Sequence, residues 1–529
     1  MDGGIDPILA ARDWDVLVIG GGITGAGILL EAARRGLRAL LVEQRDFAWG
    51  ASSRSSKLVH GGLRYLAEGQ LRLTRESVRE REALLREVPG LVEPQGFAFA
   101  DHGGARGKRL AFLAALRVYD LLAGRREAHW ETADGFAMLA PNVRREGLAG
   151  GVRYTDAKTD DARLVLRVLD EARSHGAVAC NHVALRALLH EDGKVAGARL
   201  HDARSGAEHA VRARVVLNAT GAWAGALAAA GKGPRLRPLR GSHLLLPAWR
   251  LPLALAVSLM HPQDGRPVFA YPWEGATLVG TTDVDHGEDM AREARITRAE
   301  FDYLLAALHA AFPQLGLGPG DVIATYAGVR PVIDGGSHGA PSKERREHLV
   351  WSEPGLVSVT GGKLTTFRAI ALDALREAAR QLPGWEADLR PQPLFARAAP
   401  PRCAALPAGI LQRLAGRHGA QAQALLDAAR EDELDAVPGT QTLWAELRWA
   451  ARAERVLHLD DLLLRRTRLG LLLPAGGAAL LPRIRAICQP ELGWDEARWL
   501  AEEAAYVLCW REHYAPPSAA TRTTPCMNP

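Results

Sequence analysis

The sequence predicts an α/β fold that is built on a parallel sheet and followed by a separate helical domain. Residues 15–43 contain an apolar run, a glycine-rich turn, an alanine-rich stretch and a second apolar run, which is the pattern of a strand–helix–strand unit. More apolar runs follow in the middle of the chain. A proline-rich stretch then precedes a segment rich in Ala, Leu, Arg and Glu.

The same composition shifts predict the domain organisation. We expect an interleaved core over residues 13–383, a linker over 384–402 and a helical domain over 403–514. The linker carries prolines at positions 391, 393, 400 and 401. The last residues, 515–529, are rich in Pro, Ser and Thr and are expected to form a flexible tail.

Individual elements follow from short apolar runs bounded by turn residues, which are typical of parallel strands buried on both faces. The first unit places strands at 15–20 and 37–43 and a helix within 21–36. Runs of the same kind predict strands at 215–219, 241–246, 277–282 and 356–360, and a helix from about Phe367.

Composition excludes several classes of protein. The 529 residues are 47% hydrophobic and 24% charged, which is ordinary for a globular protein and unlike a disordered, collagen-like or polytopic membrane chain. Lys and Arg total 66 against 61 acidic residues, a net charge of +5. This mild excess suits a phosphorylated substrate or an anionic membrane, and we predict no nucleic-acid partner.

Neither a membrane-spanning helix nor a metal site is predicted. The start of the chain lacks a secretory signal, and the longest apolar stretches, 251–260 and 469–482, are shorter than the ~20 residues that a spanning helix needs. The five cysteines are odd in number and have no C-x-x-C spacing, so we expect reduced thiols. A cytoplasmic protein follows, which can still lie on a membrane surface.

A dinucleotide site is predicted at the first turn. Gly20, Gly22 and Gly25 fit the spacing G-x-G-x-x-G between a buried strand and a helix. One glycine makes the turn, one admits a pyrophosphate and one allows close helix–strand contact. Glu43, at the end of the next strand, is placed to accept hydrogen bonds from a ribose diol.

Three separated segments favour FAD over a nicotinamide cofactor. Residues 51–60 are rich in small hydroxyl side chains, and 218–223 and 360–366 each place glycine after a strand. Several convergent pieces suit a long, buried cofactor. The predicted cofactor-binding residues are Gly20, Gly22, Gly25, Glu43, Ser52, Ser53, Ser56, Gly221, Gly362, Leu364 and Thr365.

Nine segments in order resemble the FAD-dependent glycerol-3-phosphate dehydrogenases, the aerobic type that passes electrons to quinone. They are DVLVIGGGITGAG (15–27), SSKLVHGGLRYL (55–66), TDDARLVL (159–166), NATGAW (218–223), RGSHLLLP (240–247), VGTTDV (279–284), YAGVRPV (326–332), GGKLTTFR (361–368) and LDDLLLRRTRLG (459–470). The resemblance implies a glutathione-reductase-like FAD-binding Rossmann domain, an antiparallel substrate-capping domain and a C-terminal helical domain. It also implies oxidation of sn-glycerol 3-phosphate to dihydroxyacetone phosphate.

That reaction needs a proton acceptor and cations for a phosphate dianion. Arg330, in a Gly-Val-Arg-Pro run, can be structural or functional on local sequence alone, and the resemblance favours a functional role. Lys363 follows two glycines at the start of a helix, where it can reach a substrate. His243 is the best histidine for an acid–base role, because an unperturbed imidazole titrates near ~6.5. These three are the predicted catalytic residues.

By resemblance, Arg64 and Tyr65 hold the substrate phosphate together with Arg330 and Lys363, and packing beneath the cofactor loop is the alternative role. His60 is expected near the flavin. Residues 281–283, of sequence Thr-Thr-Asp, are expected to support the same pocket from behind.

A quinone acceptor would require contact with the bilayer. Residues 106–110 are basic and 111–122 apolar, as in an interfacial segment, although a core-facing helix fits equally well. The arginine-rich stretch 443–464, with Arg448 and Trp449, is interpreted as a solvated basic face.

Three alternative functions remain open at this level. A glycerol-3-phosphate oxidase would use oxygen, and such oxidases commonly carry a mid-chain insertion that is not evident here. An amine or amino-acid oxidase could share the fold. A non-catalytic FAD-binding, membrane-associated protein is the third alternative. The oligomeric state is also open, with a homodimer among the alternatives.

Overall fold

The computed structural model describes residues 13–67, 69–103, 106–227, 233–333 and 348–517. The side chains of residues 64, 67 and 106–108 lie outside this description. The described strands are β1 (Trp14–Ile19), β2 (Ala39–Val42), β3 (Leu58–Val59), β4 (Val92–Asp101), β5 (His129–Thr132), β6 (Gly150–Thr159), β7 (Val178–Cys180), β8 (Val183–Glu191), β9 (Lys194–Asp202), β10 (Glu208–Asn218), β11 (Leu236–Pro247), β12 (Ala256–Met260), β13 (Pro267–Trp273), β14 (Ala276–Gly280), β15 (Val284–Asp285), β16 (Ala324–Ile333), β17 (His348–Glu353) and β18 (Leu356–Gly361).

The α-helices in the same ranges are α1 (Ile23–Ala33), α2 (Leu63–Ala67), α3 (Leu71–Glu87), α4 (Arg106–Leu122), α5 (Ala133–Leu139), α6 (Asp161–Ser174), α7 (Arg298–Ala311), α8 (Phe367–Ala379), α9 (Ala408–His418), α10 (Ala422–Ala428), α11 (Trp444–Ala453), α12 (Leu469–Leu472), α13 (Leu481–Leu492) and α14 (Glu496–His513). None of them combines the length and the apolar character that a membrane crossing requires.

The first sheet runs β17-β18-β10-β1-β2-β7, with the β8–β9 hairpin joined to β10. Its centre is parallel: Val18 of β1 lies opposite Leu217 of β10 and Leu41 of β2, and all three side chains are fully buried. Helices α6 and α8 both pack on α1. Because β1, β2, β10 and β18 are parallel, their carboxyl ends meet at one edge, where a ligand site is expected in α/β folds.

The second sheet runs β15-β11-β14-β13-β12-β4-β6-β3, with β16 beside β11 and β5 beside β6. Most of its pairs are antiparallel, as predicted for the capping domain. The pair β4–β12 departs from this expectation, since these strands are parallel with Phe97 opposite Ala256. Two adjacent strands can be parallel only when the chain between them leaves the sheet and returns in the same direction.

The predicted linker, 384–402, contains neither helix nor strand, yet it is packed on the Rossmann helix α1. Arg34 at the end of α1 donates to the carbonyl oxygens of Pro393 and Leu394 at 2.9 and 2.8 Å. Leu394 and Phe395 are buried against the first sheet's core. Residues 393–395 are therefore packed on the surface of the first sheet and its helices.

The predicted solvated basic face at 443–464 is wrong for Arg448, which is 3% exposed on α11. Its Nε and Nη2 atoms donate to both carboxylate oxygens of Glu433 at 2.7 and 2.6 Å. Glu491 of α13 is its second partner. The arginine is buried because two carboxylates from other helices neutralise it.

Candidate active site

A cavity of about 570 Å³ lies between the two sheets. The first sheet contributes the carboxyl ends of its parallel strands, and the second contributes β11 and β16. The cavity therefore forms where the sequence places its glycine-rich turns. The predicted site residues that line it are Gly20, Gly22, Glu43, Ser52, Ser56, Gly221, His243, Arg330, Gly362, Lys363, Leu364 and Thr365, together with His60.

The first glycine turn is shaped by close contacts. Gly20 has φ +112°, a conformation that favours glycine. A Cβ on Gly25 would lie 1.9 Å from the carbonyl oxygen of Gly20, so α1 could not approach β1 with any other residue there. A Cβ on Gly22 would lie 3.0 Å from Oγ of Ser52. The turn thus has no side chains between its backbone N–H groups and a ligand at the helix N-terminus, which fits a pyrophosphate.

Glu43 lines the cavity, and the protein already uses both of its carboxylate oxygens. Oε2 accepts from the backbone N–H of Gly21 at 2.7 Å, and Oε1 from that of Arg45 at 2.8 Å. Burial raises the pKa of this carboxyl. Each oxygen has a second lone pair, so the two contacts orient the group while leaving it able to accept from a diol.

His243 is a buried, neutral imidazole on β11. Its Nε2 lies 2.9 Å from Oγ of Ser56, and its ring stacks on Tyr326 with centroids 4.6 Å apart. Burial, followed by the positive charges of Lys57 and Arg330, holds the pKa of His243 well below its usual value. A neutral ring at the cavity wall can accept a proton or a hydrogen bond.

Arg330 extends from β16 over Gly241, where a Cβ would lie 2.1 Å from its Nη2. Nη2 donates to the carbonyl oxygen of Thr282 at 3.1 Å, with Oγ1 of Thr281 at 3.4 Å. The carboxylate of Asp283 is 3.9 Å away. The predicted supporting residues thus hold the guanidinium, and the Arg330 side chain lines the cavity and is 31% exposed.

Lys363 follows Gly361 and Gly362, whose φ angles are +80° and +79°. Its Nζ lies 3.7 Å from the ring centroid of Tyr65. Tyr65 is 8% exposed and is not among the cavity-lining residues, so the structure places it behind Lys363. The side chain of Arg64 lies outside the described residues, and its role stays a prediction.

Some residues are placed differently from a simple lining role, and others were missed. Ser53 does not line the cavity, and its carbonyl oxygen accepts from Lys57 Nζ at 3.0 Å. Lys57 is fully buried, yet a lysine in a Ser-rich run gives no sequence signal of burial.

Trp49 and Trp223 also line the cavity and lie with ring centroids 6.2 Å apart. Isolated tryptophans carry no motif that would have identified them.

Two family models match the chain. The model described as FAD dependent oxidoreductase matches residues 15–368, and the C-terminal domain of alpha-glycerophosphate oxidase matches residues 374–499. Glycerol-3-phosphate dehydrogenase 2 of Mycobacterium bovis is 36% identical, covering 94% of this chain and 88% of the relative. The aerobic glycerol-3-phosphate dehydrogenase of Bacillus subtilis is also 36% identical, and the match covers 70% of this chain and 68% of the relative.

The chain belongs to the FAD-dependent glycerol-3-phosphate dehydrogenase family. A solved structure of the family, the glycerol-3-phosphate dehydrogenase of Bacillus halodurans complexed with FAD, covers 96% of each chain with 28% identity and a TM-score of 0.77. The L-alpha-glycerophosphate oxidase of Mycoplasma pneumoniae shares the fold, at 18% identity and a TM-score of 0.55.

Family membership confirms the resemblance, the fold class and FAD as the cofactor. The lining residues also fit FAD, because the glycine turn leaves the backbone open where a pyrophosphate would approach. The domain bounds and the roles of individual residues in this dehydrogenase fold stay predictions.

Proposed function

We propose that the protein oxidises sn-glycerol 3-phosphate to dihydroxyacetone phosphate, with FAD as the first electron acceptor and a quinone as the next. The observation that carries this proposal is the set of charged and polar side chains that line one cavity. Two cations, Arg330 and Lys363, and the neutral His243 line the same cavity as the glycine turn at Gly20. Cations suit a phosphate, and a neutral imidazole suits a hydroxyl that must lose its proton.

The roles of the side chains follow from their surroundings. Arg330 can bind phosphate oxygens with its planar fork, because Thr282 and Gly241 fix the plane of the guanidinium. Lys363 adds a point charge that is steadied by the ring of Tyr65. His243 can take the hydroxyl proton on a ring nitrogen. FAD, when bound, supplies the acceptor for the hydride from the carbinol carbon.

Contact with a membrane is proposed for α4. Leu110, Val118 and Leu121 are 65%, 45% and 72% exposed on this helix, and Arg117 is exposed beside them. An apolar stripe next to basic residues suits the surface of an anionic bilayer, where a quinone would be reached. Attachment to the cytoplasmic membrane from the cytoplasmic side would follow.

Anaerobic titration with glycerol 3-phosphate tests the substrate. We expect the flavin absorbance to bleach with this substrate and to stay oxidised with glycerol, sarcosine or glycine. Bleaching by an amino acid alone would replace the proposal with the amino-acid oxidase alternative. A flavin that no substrate reduces would favour the non-catalytic protein.

The acceptor needs a separate measurement. The reduced protein should transfer electrons to a soluble quinone analogue much faster than to oxygen, and little peroxide should form. Stoichiometric peroxide with slow quinone reduction would instead identify a glycerol-3-phosphate oxidase, as the name of the matched C-terminal family model suggests.

A further inference from the structure

Three arginines of the C-terminal domain reach the FAD-binding half of the molecule. Arg465 and Arg466 end a π-helix, Asp461–Arg466, and Arg468 directly precedes α12. All three are at most 2% exposed. Buried charges are costly unless they are paired, so the partners of these arginines show what the domain holds in place.

Arg465 and Arg466 both bind Asp46, which follows the predicted ribose ligand Glu43 by three residues. Arg466 donates from Nη1 and Nη2 to the two carboxylate oxygens at 2.6 and 2.8 Å. Arg465 Nε donates to Oδ2 at 2.5 Å, and Asn181 Nδ2 to Oδ1 at 2.8 Å. Both carboxylate oxygens of Asp46 therefore accept hydrogen bonds from arginines of the C-terminal domain.

The same carboxylate belongs to a cluster whose geometry resembles a metal site. Ligand atoms of Asp46, His182 and Asp461 lie within 4.8 Å of one another. Two guanidinium groups already neutralise Asp46, and Arg465 also binds Asp461 at 2.7 Å. The arginines thus neutralise these carboxylates, and the cluster forms a set of ion pairs between the C-terminal residues and Asp46.

Arg468 binds a second part of the predicted cofactor site, the segment 51–57. Its Nη2 donates to the carbonyl oxygen of Ser53 at 3.0 Å and also to Asp161. Asp161 accepts from the backbone N–H and Oγ of Ser55 at 3.0 and 2.7 Å, and from Lys57 Nζ at 2.9 Å. The inner side of segment 51–57 is thereby fixed by a buried network.

The other side of that segment forms the cavity wall. Ser52 Oγ accepts from the N–H of Ile23, the first residue of α1, at 2.9 Å. Ser56 Oγ lies 2.9 Å from His243. The positions of these two hydroxyl groups depend on the backbone whose carbonyl oxygen Arg468 holds.

We infer that the C-terminal domain maintains the FAD-binding shape of residues 43–57 through Arg465, Arg466 and Arg468, with Arg468 as a positioning residue for cofactor binding. Arg468 does not line the cavity, so it acts through Ser53 and Asp161. Any effect of Arg468 on catalysis, through the contact of Ser56 with His243, rests on the function proposed above. The effect on FAD affinity does not, and it can be tested without any substrate.

Arg448 provides a matched control. It is equally buried in the same domain and also binds carboxylates with both sides of its guanidinium. Its partners Glu433 and Glu491 lie within the C-terminal domain, away from residues 43–57. Loss of Arg448 therefore tests general destabilisation of the domain.

The experiment compares Arg468→Ala, Arg468→Lys and Arg448→Ala in the full-length protein. The dissociation constant for FAD is measured by quenching of flavin fluorescence, and the melting temperature of each apoprotein is recorded. We expect Arg468→Ala to raise the dissociation constant at least tenfold and Arg468→Lys to restore part of the affinity. Arg448→Ala should change it less than twofold, even at a similar loss of melting temperature.

Two outcomes would overturn the inference. One is an unchanged FAD affinity in Arg468→Ala. The other is an equal loss of affinity in the Arg448 and Arg468 variants, which would make the arginines ordinary stabilising contacts. Should Arg468→Ala fail to fold, Arg468→Lys keeps the buried charge, and its affinity relative to wild type decides the question. Wild-type flavin that glycerol 3-phosphate does not bleach would contradict the proposed substrate and leave these affinities interpretable.

Discussion

The hydroxyl group of Ser56 lies 2.9 Å from Nε2 of His243, and this contact joins the segment 51–57 to a strand of the second sheet. Ser56 belongs to the segment 51–57, which contains predicted cofactor-binding serines, whereas His243 belongs to β11 of the second sheet. The other ring nitrogen, Nδ1, is buried and has no hydrogen-bond partner among the described residues. Burial and the nearby positive charges of Lys57 and Arg330 disfavour an imidazolium, which explains why the pKa of His243 is lowered.

The first prediction concerns pH. Burial and the charges of Lys57 and Arg330 lower the pKa of His243, so the ring should be neutral throughout the range from about pH 6 to about 8. Flavin reduction measured by stopped flow should show no ionisation of this group there. His243→Asn should slow reduction on the order of 10²-fold without changing the shape of the pH profile. A wild-type ionisation near about pH 6.5 that disappears in the variant would contradict this.

The second prediction concerns the two cations. Arg330→Ala and Lys363→Ala should each retain FAD but slow its reduction by glycerol 3-phosphate on the order of 10- to 10²-fold, because a charge-assisted hydrogen bond contributes about 1.5–3 kcal/mol. Flavin content and stopped-flow traces provide the measurement. Arg212→Ala is the control, since that arginine is 66% exposed and pairs with Glu191 at the surface. Normal reduction in both variants would remove the two residues from the mechanism.

The third prediction concerns Glu300 of α7, which is hydrogen-bonded to residues that position two of the candidate catalytic groups, His243 and Arg330. Oε1 accepts from Oγ of Ser242 and from Oγ1 of Thr282, each at 2.8 Å. Ser242 adjoins His243, and the carbonyl oxygen of Thr282 accepts from Arg330. We expect Glu300→Ala to slow flavin reduction on the order of 10²-fold, because small displacements of reacting groups are costly.

Thr297→Ala separates that effect from simple loss of a helix cap. Thr297 and Glu300 form the capping box of α7, and Thr297 contacts neither Ser242 nor Thr282 through any hydrogen bond of its side chain. Both variants should lose about 1 kcal/mol of stability from the cap. Glu300→Ala also loses the buried ion pair with Arg240, so Thr297→Ala measures the contribution of the cap alone. Equal reduction rates in the two variants, with equal melting temperatures, would show that Glu300 acts on stability alone.

Local sequence motifs predicted many of the residues that line the candidate site, whereas contacts between segments distant in the sequence could not be predicted. The spacing of Gly20, Gly22 and Gly25 and the glycines before Lys363 dictate backbone geometry over a few residues, so the sequence identifies them. The contact of Arg468 with Ser53 joins positions more than 400 residues apart. Arg448 was misjudged for the same reason, because its neutralising carboxylates come from other elements. Burial of a charge depends on tertiary partners that no local pattern contains.

The fourth prediction tests the glycine turn. Gly22→Val should prevent FAD retention, because even a Cβ would lie 3.0 Å from Ser52 Oγ and the branched side chain would occupy the pyrophosphate cradle. The flavin-to-protein absorbance ratio after purification measures retention. Gly409→Ala is the control, since a Cβ there meets nothing within 4 Å. A Gly22→Val protein that binds FAD with wild-type affinity would place the pyrophosphate elsewhere.

The fifth prediction tests the surface of α4. Replacing Leu110 and Leu121 with Glu should lower binding to vesicles containing phosphatidylglycerol at least about tenfold, because each buried leucine contributes about 1.5–3 kcal/mol and the new carboxylates are repelled by anionic lipid. Leu500→Glu with Leu508→Glu is the matched control, since these leucines are 53% and 57% exposed on α14. Co-sedimentation with vesicles measures binding, and soluble-quinone activity verifies that both proteins are folded. Equal vesicle binding by the two double variants would rule out α4 as the membrane contact, whereas loss confined to the α4 variant would locate it there.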